Sequence, residues 1–206
     1  MRSWANTAHA AVLGVLLAVA GGSAVAGAPA LSLQAEELSQ RILRGRDHAG
    51  KPFAIVDKRR ARMHVFDRRG RLVASTPVLL GAAPGDHIVP GVGLRTERGE
   101  VREDDMTTPA GRFVSGPGRN HTGEHVVWVD YESAFAIHRV RPGSSFKMRV
   151  DRLATPGVYD KRVSAGCVVV PVAFYEKVVQ RVLGRGPGVV YVMPERMSSQ
   201  GLFREL

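Results

Sequence analysis

The sequence has 206 residues, a formal net charge of +10 and a single cysteine; 44% of its residues are hydrophobic and 6% are aromatic. This length suits one domain, and a single cysteine excludes a scaffold held together by intramolecular disulfides. Few aromatic side chains and scattered basic ones argue against a nucleic-acid partner, which needs a stacking platform or a concentrated basic stripe.

The first 26 residues have the pattern of a secretory signal peptide. Arg2 supplies a positive charge, residues 10–20 form an apolar run, and residues 24–26 match the small-x-small cleavage pattern before Gly27. Residues 28–30 offer a second cleavage site, and a retained N-terminal anchor is the alternative interpretation. We therefore expect a periplasmic or secreted mature chain with no transmembrane segment.

If the chain is exported, its basic composition indicates which partners it could bind. Anionic wall polymers or lipid head groups suit a basic protein outside the cytoplasm. A solvated surface without any target explains the charge equally well.

The pattern of apolar residues predicts one helix followed by many strands. Residues 31–44 have helical spacing and Gly45 offers a stop, so we predict an N-terminal helix and linker over 27–50. From residue 51 the sequence is β-rich, with alternating apolar and polar residues. We predict strands at 53–57, 62–66, 71–80, 112–115, 125–131, 134–140 and 188–193.

Three segments between these strands are rich in glycine, proline or basic residues. We predict loops over 81–99 and 116–123, and irregular basic structure over 141–162. Long loops within compact domains are often functional, which makes residues 81–107 a candidate lid.

A second helix is predicted at about 171–184, because Pro171 suits its first turn and Gly184 its C-terminal end. The expected fold class is mainly β with a minor α component: a sandwich or barrel-like core with this one packed helix. We place a single domain at 51–194 and a loosely held C-terminal tail at 195–206.

The only cysteine, Cys167, follows a turn of small residues, Ser164, Ala165 and Gly166. A lone cysteine is most often a small buried hydrophobe. In an oxidising compartment, however, an unpaired thiol is a liability, which favours a functional role. A catalytic thiol usually has its pKa lowered by a neighbouring imidazole, so a histidine partner is expected.

His138 is the best candidate for that partner, because it ends an apolar strand that would hold its ring rigidly beside small residues. A hydrogen-bonded core histidine is the alternative. His48 and His64 are predicted at the surface. His121 and His125 flank a glycine but lack a third ligand at a recognisable spacing, so no metal is predicted.

Together these residues resemble the L,D-transpeptidase catalytic domain, also called the YkuD family. In that family a histidine ends a strand and Ser-x-Gly-Cys follows; here these are His138 and residues 164–167. The upstream Thr-Pro-x-Gly-x-Phe pattern occupies residues 108–113, and residues 55–58 with strand 62–66 resemble the family's first hairpin. The resemblance spans roughly 51–194.

The resemblance implies a cysteine-dependent acyl transfer on peptidoglycan stem peptides, with no cofactor. Cys167 would be the nucleophile, His138 the base, and the carbonyl of Arg139 would orient that base. Backbone N–H groups around Gly166 and Cys167 would hold the oxyanion. The residues placed against the substrate are Ser164, Ala165, Gly166 and Val169.

Three positions depart from the family pattern. Ala165 stands where many members have histidine, Arg139 where glycine or serine is common, and Val169 where arginine or asparagine is usual. Two alternatives therefore stay open: a carboxypeptidase-type hydrolase on the same scaffold, and a non-catalytic wall-binding module. The retained Cys167 and His138 favour an enzyme.

Overall fold

The computed structural model describes residues 31–204 and residue 206. The predicted signal peptide and both cleavage sites lie outside the described residues, so they stay predictions. Within the described part of the chain, no helix is long and apolar enough to span a bilayer.

The fold is mainly β with a minor α component, as predicted. Eight strands form one sheet in the order β3-β2-β1-β10-β5-β6-β7-β9, and β4 pairs with β8 in a small second sheet. The strands are β1 (Phe53–Asp57), β2 (Arg62–Phe66), β3 (Leu72–Pro77), β4 (Leu80–Gly81), β5 (Gly111–Arg119), β6 (His125–Asp130), β7 (Phe135–Arg139), β8 (Arg162–Ser164), β9 (Val168–Val170) and β10 (Gly188–Met193).

Strand β5 joins the two halves of the large sheet. Residues 111–115 pair with β10, whereas residues 116–119 pair with β6. Apolar residues from both halves meet in one central core. Because each strand alternates its side chains, the opposite faces must be covered separately. This arrangement agrees with the predicted sandwich or barrel-like core.

Strand β5 also corrects the sequence prediction, which ended this strand at residue 115 and placed a loop from residue 116. The strand continues through a Gly-Pro-Gly sequence, because Gly118 lies beneath the indole of Trp128. A Cβ atom at Gly118 would be 2.5 Å from Cδ1 of that ring. Here glycine makes room for a cross-strand neighbour instead of ending the strand.

Besides a 3-10 helix at Tyr159–Lys161, the described residues contain five helices, where the sequence predicted two, at 31–44 and 171–184. They are α1 (Leu33–Gly45), α2 (Val92–Arg98), α3 (Phe146–Ala154), α4 (Val172–Phe174, Tyr175–Val179 and Gln180–Val182, its middle part π-helical) and α5 (Ser199–Leu202). The predicted helix at 171–184 corresponds to α4.

Helices α2 and α3 lie in segments that were predicted to be irregular. Gly91 and Gly99, at the two ends of α2, have φ values of 75° and 72°, so they bound a helix within the glycine-rich segment. Helix α3 is basic on its exposed side but buries Leu153 against the sheet. Its single buried contact explains why its apolar pattern was too weak to predict a helix.

The segment 195–206, predicted as a loosely held tail, packs against the fold. Phe203 is buried together with α1 and the outer face of β1 and β10. The backbone N–H groups of residues 195–197 all donate to the carboxylate of Asp86, each at 2.8 Å. The tail is therefore tied to the loop that follows β4.

A buried lysine lies at the centre of this connection. Lys58 is fully buried, and its Nζ donates to Asp86 Oδ1 at 2.7 Å and to the carbonyl of Thr108 at 2.8 Å. Burial lowers the pKa of Lys58, while burial alone would raise that of Asp86. Hydrogen bonds from Lys58 and from residues 195–197 instead lower the pKa of Asp86 to about 2. Removing one partner of such a pair typically costs about 3–5 kcal/mol.

His48 and His64, predicted at the surface, are both buried. His64 accepts or donates a 2.7 Å hydrogen bond with the hydroxyl of Ser75 on the neighbouring strand. Burial lowers the pKa of His64 to about 4, so the ring is neutral at pH 7. Neutral imidazoles are tolerated in cores when a hydrogen bond satisfies them.

Candidate active site

A tight turn between β8 and β9 carries Cys167. Gly166 has a φ of 116°, and a Cβ atom there would be 2.9 Å from the carbonyl oxygen of Thr107. Ser164 closes the turn, because its hydroxyl donates to the carbonyl of Cys167 at 2.6 Å and accepts from the N–H of Gly166 at 3.2 Å. Only glycine fits this position without strain.

Thr108 fastens the same turn from outside. Its hydroxyl donates to the carbonyl of Gly166 at 2.8 Å and accepts from the N–H of Gly81 at 2.8 Å. Its own carbonyl accepts from Lys58. A chain of buried hydrogen bonds therefore runs from Lys58 through Thr108 to the residue before the cysteine, which the sequence motif alone did not indicate.

His138 lies on β7, the strand that pairs in parallel with β9. Its ring Nδ1 is 2.7 Å from the carbonyl oxygen of its neighbour, Arg139. A carbonyl can only accept, so Nδ1 carries the proton and Nε2 keeps a free lone pair. The imidazole is thus held in the tautomer that a general base requires.

The thiol immediately precedes β9, the strand next to the one that carries the imidazole, because Val168 and Val169 are the register partners of Ile137 and His138. In this structure the thiol of Cys167 donates to the carbonyl of Ala134 at 3.5 Å. No hydrogen bond among the described residues joins it to the imidazole. Catalytic hydrogen bonds are often long in unliganded enzymes and shorten when substrate binds.

Both groups are neutral at pH 7. Burial raises the pKa of the Cys167 thiol, although the backbone of Ala136 and the charge of Arg141 oppose it. Burial and the charges of Arg141 and Arg149 lower the pKa of His138 to about 4, against the hydrogen bond to Arg139. The expected lowering of the thiol pKa is therefore wrong for this structure. A neutral pair must transfer its proton as the sulfur attacks.

The residues predicted to contact substrate differ in how far they are exposed. Ala165 is exposed, whereas Ser164 is buried and satisfied within the turn. Val169 is 1% exposed and packs in a core cluster with Leu79, Val140 and Leu153. A valine buried in this way has no surface to offer a substrate.

Arg139 and Gly166 contribute backbone groups, not side chains, to the candidate site. The guanidinium of Arg139 turns away to pair with Glu124 at 2.7 Å, so only its carbonyl faces the imidazole. The N–H of Gly166, expected as an oxyanion donor, is already bonded to Ser164. The N–H of Cys167 is the other group that the sequence suggested for this role.

A small cleft of about 20 Å³ borders the turn on the side of Ala165 and Gly166. Its other walls come from residues 88–92 and 105–107 of the candidate lid, from Pro109, and from residues 133–135 at the start of β7. A larger cavity of about 830 Å³ lies between α1 and residues 196–203, on a different part of the surface. We place the site at the smaller cleft, because of these two only this one is lined by residues of the turn that carries Cys167.

His125, considered as a metal ligand, makes protein contacts. Its Nδ1 lies 2.8 Å from the hydroxyl of Tyr175, and its Nε2 lies 3.3 Å from the carbonyl of Gly184. Within residues 31–204 and 206, no group of three or more His, Cys, Asp or Glu side chains is arranged to hold a metal ion.

Thr108→Val is expected to weaken both the fold and the site, because it keeps the side-chain shape but removes the hydroxyl. The N–H of Gly81 and the carbonyl of Gly166 would lose their partner, at a cost of about 1–3 kcal/mol. Misplacing the turn is expected to slow acylation of Cys167 by about 10- to 100-fold. Urea unfolding and single-turnover acylation would measure the two effects.

Thr108→Ser is the matched control, since it keeps the hydroxyl and is expected to retain most of the wild-type acylation rate. Equal rates for the valine and serine variants would show that the hydroxyl does not position the turn.

Comparisons with known proteins give only distant similarities. No family model and no curated protein matches the chain. One similar structure is an Enterococcus faecium L,D-transpeptidase, at 17% identity and a TM-score of 0.38, covering 69% of this chain and 50% of that one. Another is a fused Zn-dependent amidase/peptidase/peptidoglycan-binding domain-containing protein from Clostridium acetobutylicum, at 15% identity and a TM-score of 0.39, covering 76% of this chain and 62% of that one.

This chain thus spans between about half and three-fifths of the length of those two structures. Similarities at these TM-scores assign no activity to it. What this chain does must be argued from its own residues.

Proposed function

We propose that this chain is an exported, cysteine-dependent acyltransferase that acts on peptidoglycan stem peptides, as an L,D-transpeptidase does. The observation that carries the proposal is the placement of Cys167 directly before β9, the strand that pairs with β7 at His138, whose Nδ1 is held by the carbonyl of Arg139. The ordered motifs at residues 108–113, 138 and 164–167 support the same chemistry.

In the proposed reaction, Nε2 of His138 takes the thiol proton while Sγ of Cys167 attacks the carbonyl before a terminal D-alanine. The N–H of Cys167 would stabilise the oxyanion. The C–N bond then breaks, and the imidazolium gives its proton to the leaving D-alanine amine. An acceptor amine attacks the thioester and restores the thiol, forming a crosslink or attaching a protein; water would give hydrolysis.

A non-catalytic wall-binding module is the second candidate. It is favoured by the raised thiol pKa and by the hydrogen bond that holds the thiol on Ala134. Against it, a neutral imidazole with a free Nε2 lies on the next strand, where a structural role would not require that tautomer.

The test is product analysis by mass spectrometry after incubation with a stem tetrapeptide ending in D-alanine and an amine acceptor. We expect loss of D-alanine, a thioester on Cys167, and transfer to the acceptor. Loss of D-alanine without transfer would identify the hydrolase. Absence of both product and thioester in the wild-type protein would contradict the proposed function.

A further inference from the structure

Three arginines, Arg139, Arg141 and Arg149, lie on or near the strand that carries His138, and among the described residues only one acid, Glu124, pairs with any of them. Arg139 pairs with Glu124 Oε1 at 2.7 Å, and Nε of Arg141 lies 3.3 Å from the other carboxylate oxygen. Arg149 has no acidic partner among the described residues. One carboxylate is therefore shared by two of the three guanidinium groups, which leaves two positive charges of this group uncompensated.

Helix α3 directs Arg149 towards the sheet. Leu153, one turn later on the same helix, is buried against Val140 and Val169. Residues four apart share a helix face, so Arg149 lies on the side that covers the sheet. Val169 is the register partner of His138, which places this face beside the imidazole. The lowered pKa of His138, to which Arg149 and Arg141 both contribute, agrees with that proximity.

Both arginines carry an unsatisfied buried donor. The described residues contain a few buried side-chain polar atoms without a hydrogen-bond partner, and the Nε atoms of Arg141 and Arg149 are among them. The 3.3 Å approach of Arg141 to Glu124 is an ion pair whose alignment does not make a hydrogen bond. Unsatisfied buried donors are rare in folded proteins, and a bound ligand is one reason for them.

We propose that Arg149, together with Arg141, binds the free carboxylate of the terminal D-amino acid of the acyl donor. This inference rests on the proposed function, because it identifies which end of that substrate the site recognises. Guanidinium groups bind carboxylates through paired, charge-assisted hydrogen bonds, which suits two unsatisfied Nε donors.

Binding a carboxylate here would also change the base. The charges of Arg141 and Arg149 help to keep the pKa of His138 near 4, so an anion that neutralises them would raise it. His138 would then become a stronger base when a donor with a free carboxylate is bound. Binding of a donor with a free carboxylate would therefore both select the substrate and activate His138 as the base.

The experiment compares two donors, a tetrapeptide ending in D-alanine and the same peptide ending in D-alaninamide. Arg149→Gln is expected to lower kcat/KM for the acid by about 10- to 100-fold and to change that for the amide by less than about 3-fold. Lys147→Gln is the matched control on α3; Lys147 is exposed and pairs with Asp151, so neither donor should be affected. Equal losses for both donors in Arg149→Gln would overturn the proposal.

A binding measurement separates this proposal from the proposed function. In a Cys167→Ser background, calorimetry should show tighter binding of the acid than of the amide, and Arg149→Gln should remove the difference. Proton NMR should show the His138 pKa rising when the acid binds. If wild-type protein turns over neither donor, the proposed function fails while this result still decides the carboxylate site. Equal binding of acid and amide would overturn the site even in an active enzyme.

Discussion

Replacing Cys167 with serine is expected to abolish thioester formation and all transfer products. The sequence contains one cysteine, so a carbapenem or iodoacetamide should add a single adduct to the wild-type protein and none to Cys167→Ser. Intact-mass spectrometry measures this directly. The serine variant should unfold at nearly the same urea concentration as the wild type, because the substitution is close in size.

The pH dependence of that adduct tests the electrostatics of the site. Burial raises the pKa of the thiol, so the fraction ionised stays small at pH 7 and grows through and above the ordinary thiol range. Alkylation by iodoacetamide should therefore increase with pH well past 8.5. A plateau reached near neutral pH would instead reveal a thiolate–imidazolium pair. No adduct on the folded protein would mean that Cys167 is inaccessible and would end the catalytic interpretation.

His138→Gln is expected to slow acylation by the peptide donor by about 10²- to 10⁴-fold at pH 7, as is typical for loss of a positioned base. The pKa of His138, about 4, determines the pH at which the acylation rate begins to fall on the acid side of its pH profile. In the free enzyme the imidazole is neutral, and able to accept a proton, above about pH 4, so kcat/KM for wild-type acylation should fall only as the pH approaches that value. Stopped-flow or quench measurements of acylation from pH 4 to 10 would show both effects.

The matched control is His121→Gln, because His121 is exposed in the turn between β5 and β6; it should leave acylation unchanged. The deficit of His138→Gln should shrink at high pH, where hydroxide ionises the thiol without a base. A near-normal rate for His138→Gln at pH 7 would show that another group removes the proton.

Much of the sheet could be predicted from the sequence. Strands 53–57, 62–66 and 188–193 coincide with β1, β2 and β10, because their apolar runs are short, rich in β-branched residues and bounded by turns. The candidate pair, Cys167 and His138, was selected by residue type and motif order, which do not depend on knowing the packing.

Other features depend on tertiary contacts that no local pattern reports. Lys58 is buried although lysine is normally exposed, since only the folded chain brings Asp86 and the carbonyl of Thr108 to it. Val169 was expected at the substrate, but the alternation of side chains along β9 directs it into a core cluster. Arg149 lies on a helix that the basic composition of its segment concealed.

The position of β10 has a consequence for how the chain acquires its structure. This strand comes from residues 188–193 but lies between β1 and β5. The two halves of the sheet therefore have no continuous ladder until late residues have been inserted between early ones. Such long-range pairing makes folding slow and leaves strand edges open beforehand. For a chain exported as we propose, slow folding would keep the chain unfolded, and so able to be translocated, until translocation is nearly finished.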